Sequence, residues 1–324
     1  MTTTVTSAIR ISGATSPAPD YTTLTAWESG EQDNITAAGS DEIHIAECYN
    51  DWSSGLDDYF NVGGWTTDAT HYIEIKPADG EGHTGVLSDG GNYTGFTIKS
   101  TGATAGVITT ANSYVKLRGL AIDYGSAGTY ALFSNVGNTE ISECLITNWA
   151  TTGIYCVSGA KPTKVKNCII IDCDTGVHVY DDSKYIYNCT IIGSARGIYF
   201  QSVEGPVNIY NCLIDGGTTY CIGGDSNGPT VAYCATSDAT ADDWLGAGSR
   251  INQTFTYEDS DNDDYHLASD DAGAKGYGTD LSSDSDYPFD DDIDGETRSA
   301  WDIGADEYSA GAPSGNPWNY YAQQ

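Results

Sequence analysis

Basic residues are scarce in this chain. Thirteen Lys and Arg stand against 46 Asp and Glu, a formal net charge of −33 with a pI near 4.1. Such a surface repels phosphate backbones and excludes ordinary nucleic-acid binding. It also keeps a β-rich chain soluble and discourages edge-to-edge pairing. Methionine, a good helix former, occurs once. No stretch approaches the ~20 apolar residues that membrane insertion requires. The opening MTTTVTSAIRISGATS has no basic segment followed by an apolar run, so no secretory leader is expected and synthesis in a cytoplasm is. What is plentiful is Gly (38) and Tyr (23), alongside many Thr, Ser and Asn. That mixture suits short strands separated by tight turns.

The nine cysteines are odd in number and five of them are regularly spaced, which argues against a disulfide framework. Cys144, Cys168, Cys189, Cys212 and Cys234 step by 24, 21, 23 and 22 residues, and Leu120 lies 24 before the first. A self-similar period of about 22 residues is the mark of a solenoid. An apolar residue sits three before each of these positions (Leu117, Ile141, Val165, Ile186, Ile209, Val231). Another sits two after most of them (Ile122, Ile146, Ile170, Ile191, Ile214). An odd and an even offset cannot both face inward on one flat strand, because side chains alternate with period two. The chain must therefore bend just before the Cys, at Gly119, Glu143, Asn167, Asn188, Asn211 and Tyr233. Gly and Asn tolerate the left-handed backbone of such a bend. Stacked copies would place Asn167, Asn188 and Asn211 in an amide ladder and the five cysteines in an inward column of small hydrophobic groups. Cys48, Cys156, Cys173 and Cys221 lie outside that column.

A second strand is expected in each copy, at 129–133, 153–157, 176–180 and 197–201, led in most copies by a Gly corner. Together these features predict an all-β fold, a right-handed parallel β-helix of ~22-residue coils over residues 41–245. Before it, residues 1–40 hold a capping helix around Leu24 and Trp27, with Asp20 as candidate N-cap. After it, residues 246–324 form an irregular acidic cap and a tail carrying Trp318, Tyr320 and Tyr321.

Two stretches carry a family resemblance. Residues 20–28, DYTTLTAWE, resemble the N-terminal cap of β-helix proteins common in tailed-phage genomes and, more loosely, that of pectate-lyase-like proteins. Asp294-Gly295 with Arg298, followed by Asp302-Ile303-Gly304-Ala305-Asp306-Glu307, resembles the C-terminal segment of bacterial β-helix surface proteins. The resemblance implies the fold. It leaves open a structural virion protein (capsid decoration, head fibre or short tail fibre), a polysaccharide lyase or hydrolase, and a bacterial surface or filament protein. Expected partners are other virion proteins or copies of itself, with a homotrimer by analogy, and cell-surface polysaccharide. The expected place is the virion, or alternatively the cell surface.

Candidate sites follow from residue chemistry. Outward positions give Lys116–Glu140–Lys164 and Tyr187–Tyr210 down the stack, arrangements that stabilise a sheet face. No pair of outward carboxylates recurs there, so no catalytic residue is assigned. Lys161, Lys164, Lys166, Lys184 and Arg196 concentrate in 36 residues. Lys164, Lys166, Tyr185, Tyr187 and Tyr210 together could form a glycan-binding face of cations and aromatic platforms; the competing reading is a stabilising ladder. His178 is expected to be outward and solvated. Asp290, Asp292 and Asp294 before Gly295 match the start of a Ca²⁺ loop. Trp301 at the twelfth position rules out a full EF-hand, and a solvated acidic loop is the alternative, as it is for Asp259–Asp264.

Overall fold

The computed structural model describes residues 2–89, 92–102, 106–123, 129–147, 151–157, 161–224, 229–238 and 244–309. The aromatic tail residues Trp318, Tyr320 and Tyr321 lie outside the described residues. Each regular coil contributes three short strands, one to each of three parallel sheets of nine, eight and seven strands. In one coil these are Thr139–Ser142, Leu145–Thr147 and Thr152–Val157. The expected second strand is the one in the seven-stranded sheet, and the short strand after the bend is a third.

The bend falls where the periodicity placed it. Gly119, Glu143, Asn167, Asn188, Asn211 and Tyr233 all have φ between 47° and 63°. Reversal of parity at this point lets the residue three before the Cys, the Cys itself and the residue two after it all enter one core. Ile141, Cys144 and Ile146, and then Val165, Cys168 and Ile170, do so with no exposed surface. All nine cysteines are buried free thiols; Cys48, Cys156, Cys173 and Cys221 join the same core. The glycines that lead the seven-stranded sheet are needed for space rather than for turning. A Cβ on Gly153 would lie 2.8 Å from the Gly176 carbonyl and 2.8 Å from the Ile170 methyl.

The helix runs from Leu24 to Glu31 and seals the N-terminal end with Leu24 and Trp27. Its N-cap is Thr23, which accepts from the Ala26 amide at 3.0 Å. Asp20 instead accepts from the Ala8 amide at 2.8 Å, because Thr3–Ile9 is already a strand, the first of the nine-stranded sheet. Among the described residues no helix is long and apolar enough to cross a membrane.

The far end is closed by a partial turn. Trp244 and Leu245 pack on the core, and the Arg250 amide donates to the Cys234 carbonyl. From residue 253 the chain then travels back along the outside of the coils. The reason lies in the residue directly after each Cys. Leu145, Ile169 and Leu213, with Ala121 and Ala235, point out from the eight-stranded sheet, and exposed they would form an apolar stripe. Phe255, Leu267, Ala274, Ile293, Ile303 and Ala305 of the returning segment cover them in a second core. Burying this stripe is a large favourable term, at about 25 cal/mol per Å² of apolar surface.

Candidate functional site

The segment crosses the bend and meets the asparagine column. Of the expected ladder one rung forms, with the Asn211 Nδ2 donating to Asn188 Oδ1 at 3.1 Å. The remaining amide groups bond to the segment. Asn188 donates to the carbonyls of Asp302 and Gly304, Asn167 to that of Asp291, and Asn211 to that of Thr279. At the centre is Arg298, its side chain fully buried. It donates to Asn167 Oδ1 at 3.0 Å and to the carbonyls of Asp291, Gly304 and Ala305 at 2.8, 3.1 and 2.7 Å. Its guanidinium lies 3.8 Å from Glu307. The Glu307 carboxylate in turn accepts from the amides of Ser299, Ala300, Trp301 and Asp302. Arg298 and Glu307, two charged residues of the motif that carries the second resemblance, thus form an internal knot.

The five residues expected to face a glycan lie beneath or beside this segment. Tyr187 is completely buried, packed with Leu281, Tyr287, Phe289 and Trp301. Tyr185 and Tyr210 are half-buried at the margin of that cluster. Lys164 donates to the Asp286 carbonyl at 2.7 Å and sits over the Tyr287 ring. Lys166 is buried between Glu143 and Asp291, 2.5 Å from each. Glu143 also holds Arg118 at 2.8 Å. Burial alone would raise the Glu143 pKa; the Lys166 and Arg118 charges override it and hold the carboxylate below its ordinary value. Lys166 shows the mirror image: burial would lower its pKa, and its two carboxylates raise it.

The cations do not form one cluster. Lys184 points inward, because it shares parity with Ile186; it is fully buried and donates to the Asp182 carbonyl. Arg196 pairs with Asp174 on the seven-stranded sheet at 2.8 Å. There His178 is outward but stacked rather than solvated. It lies between Tyr155 and Tyr199 in a row with Phe133, with centroid separations of 4.5, 4.7 and 5.4 Å. The rings face one another, so their faces stabilise the sheet.

The carboxylates of Asp290, Asp292 and Asp294 do not converge into a loop site. Asp290 is exposed. Asp292 is buried and accepts from the amides of Asp294, Glu296 and Glu307. Asp294 turns toward His266. Among the described residues the group of three ligand-bearing side chains that does converge is His266, Asp294 and Asp306, with ligand atoms within 4.8 Å of one another. This cluster could hold a metal ion. Sequence reasoning missed two of its members, since His266 and Asp306 are far apart in the chain, His266 belongs to no motif, and Asp306 stands out only as part of the second resemblance. Burial alone would favour a neutral His266 ring; contact with Asp264 and Asp294 instead raises its pKa.

A cleft of about 310 Å³ opens where Tyr287–Asp291 overhang the nine-stranded sheet, lined by Glu74, Glu140, Lys116, Arg118 and Lys166 among others. The Tyr287 hydroxyl donates to Glu140 at 2.9 Å.

A family model described as a right handed beta helix region matches residues 79–191 and 105–253. These matches together span 79–253, more than half of the chain. No curated protein and no solved structure matches the chain.

Proposed function

The chain belongs to the right handed beta helix family, and from that premise we propose that it is a structural, non-catalytic virion protein of a tailed phage, serving as a capsid decoration or short fibre. The observation that carries this reading is the use made of the charged groups outside the coils. Lys166, Glu143, Arg118 and Asp291 form one connected set, and it fastens the returning segment to the flank. A buried, paired cation is unsuited to proton abstraction. A stiff acidic solenoid sealed along one flank suits an exposed appendage, and the likeness of residues 20–28 to phage proteins gives the setting. Any glycan contact falls to Lys164, Tyr185 and Tyr210, at the margin of the segment.

A second reading, a polysaccharide lyase or hydrolase, is favoured by the cleft that brings Glu74 and Glu140 near Lys116 and Arg118. A panel of neutral and anionic polysaccharides separates the two. The structural reading expects no new reducing ends and no unsaturated products after prolonged incubation. Cleavage of any glycan that is abolished in Glu140→Gln would replace it with the enzymatic one.

A further inference from the structure

His266 is a buried titratable group outside the fastening just described. It sits on the strand Asp264–Leu267, which pairs with Tyr257–Asp259. Its Nδ1 lies 2.5 Å from Asp264 Oδ1, so Nδ1 donates to that carboxylate and Nε2 is the nitrogen turned toward Asp294. Nε2 lies 3.0 Å from Asp294 Oδ2, off the axis of a hydrogen bond. Neither Nε2 nor Asp294 Oδ1 has a hydrogen-bond partner, and both are sealed from solvent. The His266 side chain is only 7% exposed. An Nε2 lone pair and a carboxylate facing each other in a buried site repel unless a proton or a metal cation lies between them. Asp306 brings a third ligand oxygen into the same space, while its carboxylate also accepts from the Leu267 amide at 2.8 Å. Beside them is Gly85, φ +74°, whose missing Cβ would stand 2.4 Å from Nε2. A side chain there would fill the space next to the ligand atom.

We propose that His266, Asp294 and Asp306 form a binding site for a divalent transition-metal ion of the zinc type, with Asp264 as the carboxylate that orients the histidine. The donor set decides the class of ion. One imidazole nitrogen and two carboxylates suit zinc and its neighbours, whereas calcium takes six to eight oxygens. Across a tetrahedral zinc with bonds of about 2.1 Å, ligand atoms stand roughly 3.4 Å apart. The 3.0 Å separation of Nε2 and Asp294 Oδ2 needs only a small adjustment. A carboxylate on the distal histidine nitrogen is the usual support for such a ligand. The three ligands come from three separate stretches of the returning segment and lie against the loop that carries His83 and Gly85. The ion therefore acts as a staple that holds the segment's fold together where it meets the coils.

The test uses the full chain, stripped with a chelator and titrated calorimetrically with Zn²⁺, with Co²⁺ as a spectroscopic substitute. One Zn²⁺ per chain is expected, not displaced by a hundredfold excess of Ca²⁺, and Co²⁺ should give visible absorption bands of low-symmetry coordination. Asp264→Asn should weaken Zn²⁺ binding by about 10- to 100-fold, and His266→Gln should remove the Co²⁺ bands. Should His266→Gln fail to fold, the wild-type Co²⁺ spectrum and the Asp264→Asn affinity still decide the matter. The proposal is overturned by the absence of stoichiometric Zn²⁺ binding, by equal competition from Ca²⁺, or by an affinity unchanged in Asp264→Asn. A His266 ring that stays doubly protonated by NMR in saturating Zn²⁺ would overturn it as well, showing that a proton fills the gap.

Discussion

Replacing Arg298 by alanine is expected to loosen the returning segment while leaving the coils folded. The guanidinium has no exposed surface and lies 3.8 Å from Glu307, itself buried. It serves Asn167 on the coils and the carbonyls of Asp291, Gly304 and Ala305 on the segment. Truncation leaves those four acceptors short of a donor and removes the cation beside the buried Glu307 carboxylate. Breaking a buried ion pair by removing one partner costs about 3–5 kcal/mol. At 1.4 kcal/mol per factor of ten, the local opening equilibrium of the segment should rise by roughly 10²- to 4 × 10³-fold. The penalty is local because the coils retain their own core and ladders. Arg298→Lys should restore little, since an ammonium cannot reproduce the planar fork.

Native-state hydrogen exchange read by mass spectrometry gives the answer directly. The Gly304 amide bonds the Asn211 carbonyl, the Ala305 amide bonds Thr190 Oγ1, and the Ile303 amide bonds the Ala274 carbonyl. Peptides covering these amides should lose protection in Arg298→Ala, while peptides from the inner strands at Thr175–Tyr180 and Arg196–Gln201 keep theirs. Unchanged exchange across residues 290–307 would refute the claim that Arg298 holds the segment. A uniform increase across coils and segment would refute the claim that the two are separable.

The pair Glu143–Lys166 sets a pH window for docking. A carboxylate whose folded pKa is depressed contributes stability above its ordinary value of 4.5 and loses it as pH falls through the folded value. A lysine whose folded pKa is raised contributes below 10.5 and loses that contribution as pH rises through the folded value. Trp301 fluorescence, isolated against a Trp301→Phe control, should shift to the red below pH 4.5 before the coils melt; a single concerted acid transition would contradict this. Burial raises the thiol pKa of Cys144, Cys168, Cys189 and Cys212, and that of Cys156 to about 12. An aromatic disulfide reagent at pH 8 should therefore find no reactive thiol in the native chain and all nine in guanidinium; fast modification of any one would show that the core is open. At Asn188, φ 47°, alanine should cost about 1–2 kcal/mol of backbone strain and about 1 kcal/mol for each of three lost side-chain hydrogen bonds. Asn188→Gly should lose only the hydrogen-bond part, and urea titration curves that coincide for the two variants would contradict the bend argument.

The coil was legible because its physics is local and repeated. A parity reversal in front of Cys144, Cys168, Cys189 and Cys212 forces a bend, and Gly or Asn at four of the six bend positions signals the left-handed backbone found there. Glu143 and Tyr233 adopt the same conformation without being suited to it; stacking between neighbouring coils imposes it. The covering of the flank was not legible. Alternation shows which side of a sheet a residue faces, but not what lies over that side, so Tyr187 and Lys166 read as surface residues. The signal that was available was the apolar residue after four of the five column cysteines. Leu145, Ile169 and Leu213 point outward, and an outward apolar row demands a cover. The segment that supplies it has no period of its own, so its contacts with residues more than a hundred positions earlier left no trace in the sequence. His266 joined Asp294 and Asp306 only through that return path.

The proposal of a structural virion role is tested most directly by quantitative mass spectrometry of purified particles of a phage whose genome carries the coding sequence, set against surface fractions of uninfected host cells. The account predicts a fixed stoichiometric copy number per particle and no signal from uninfected cells. Particles lacking the chain, together with its recovery from uninfected cell surfaces, would contradict it.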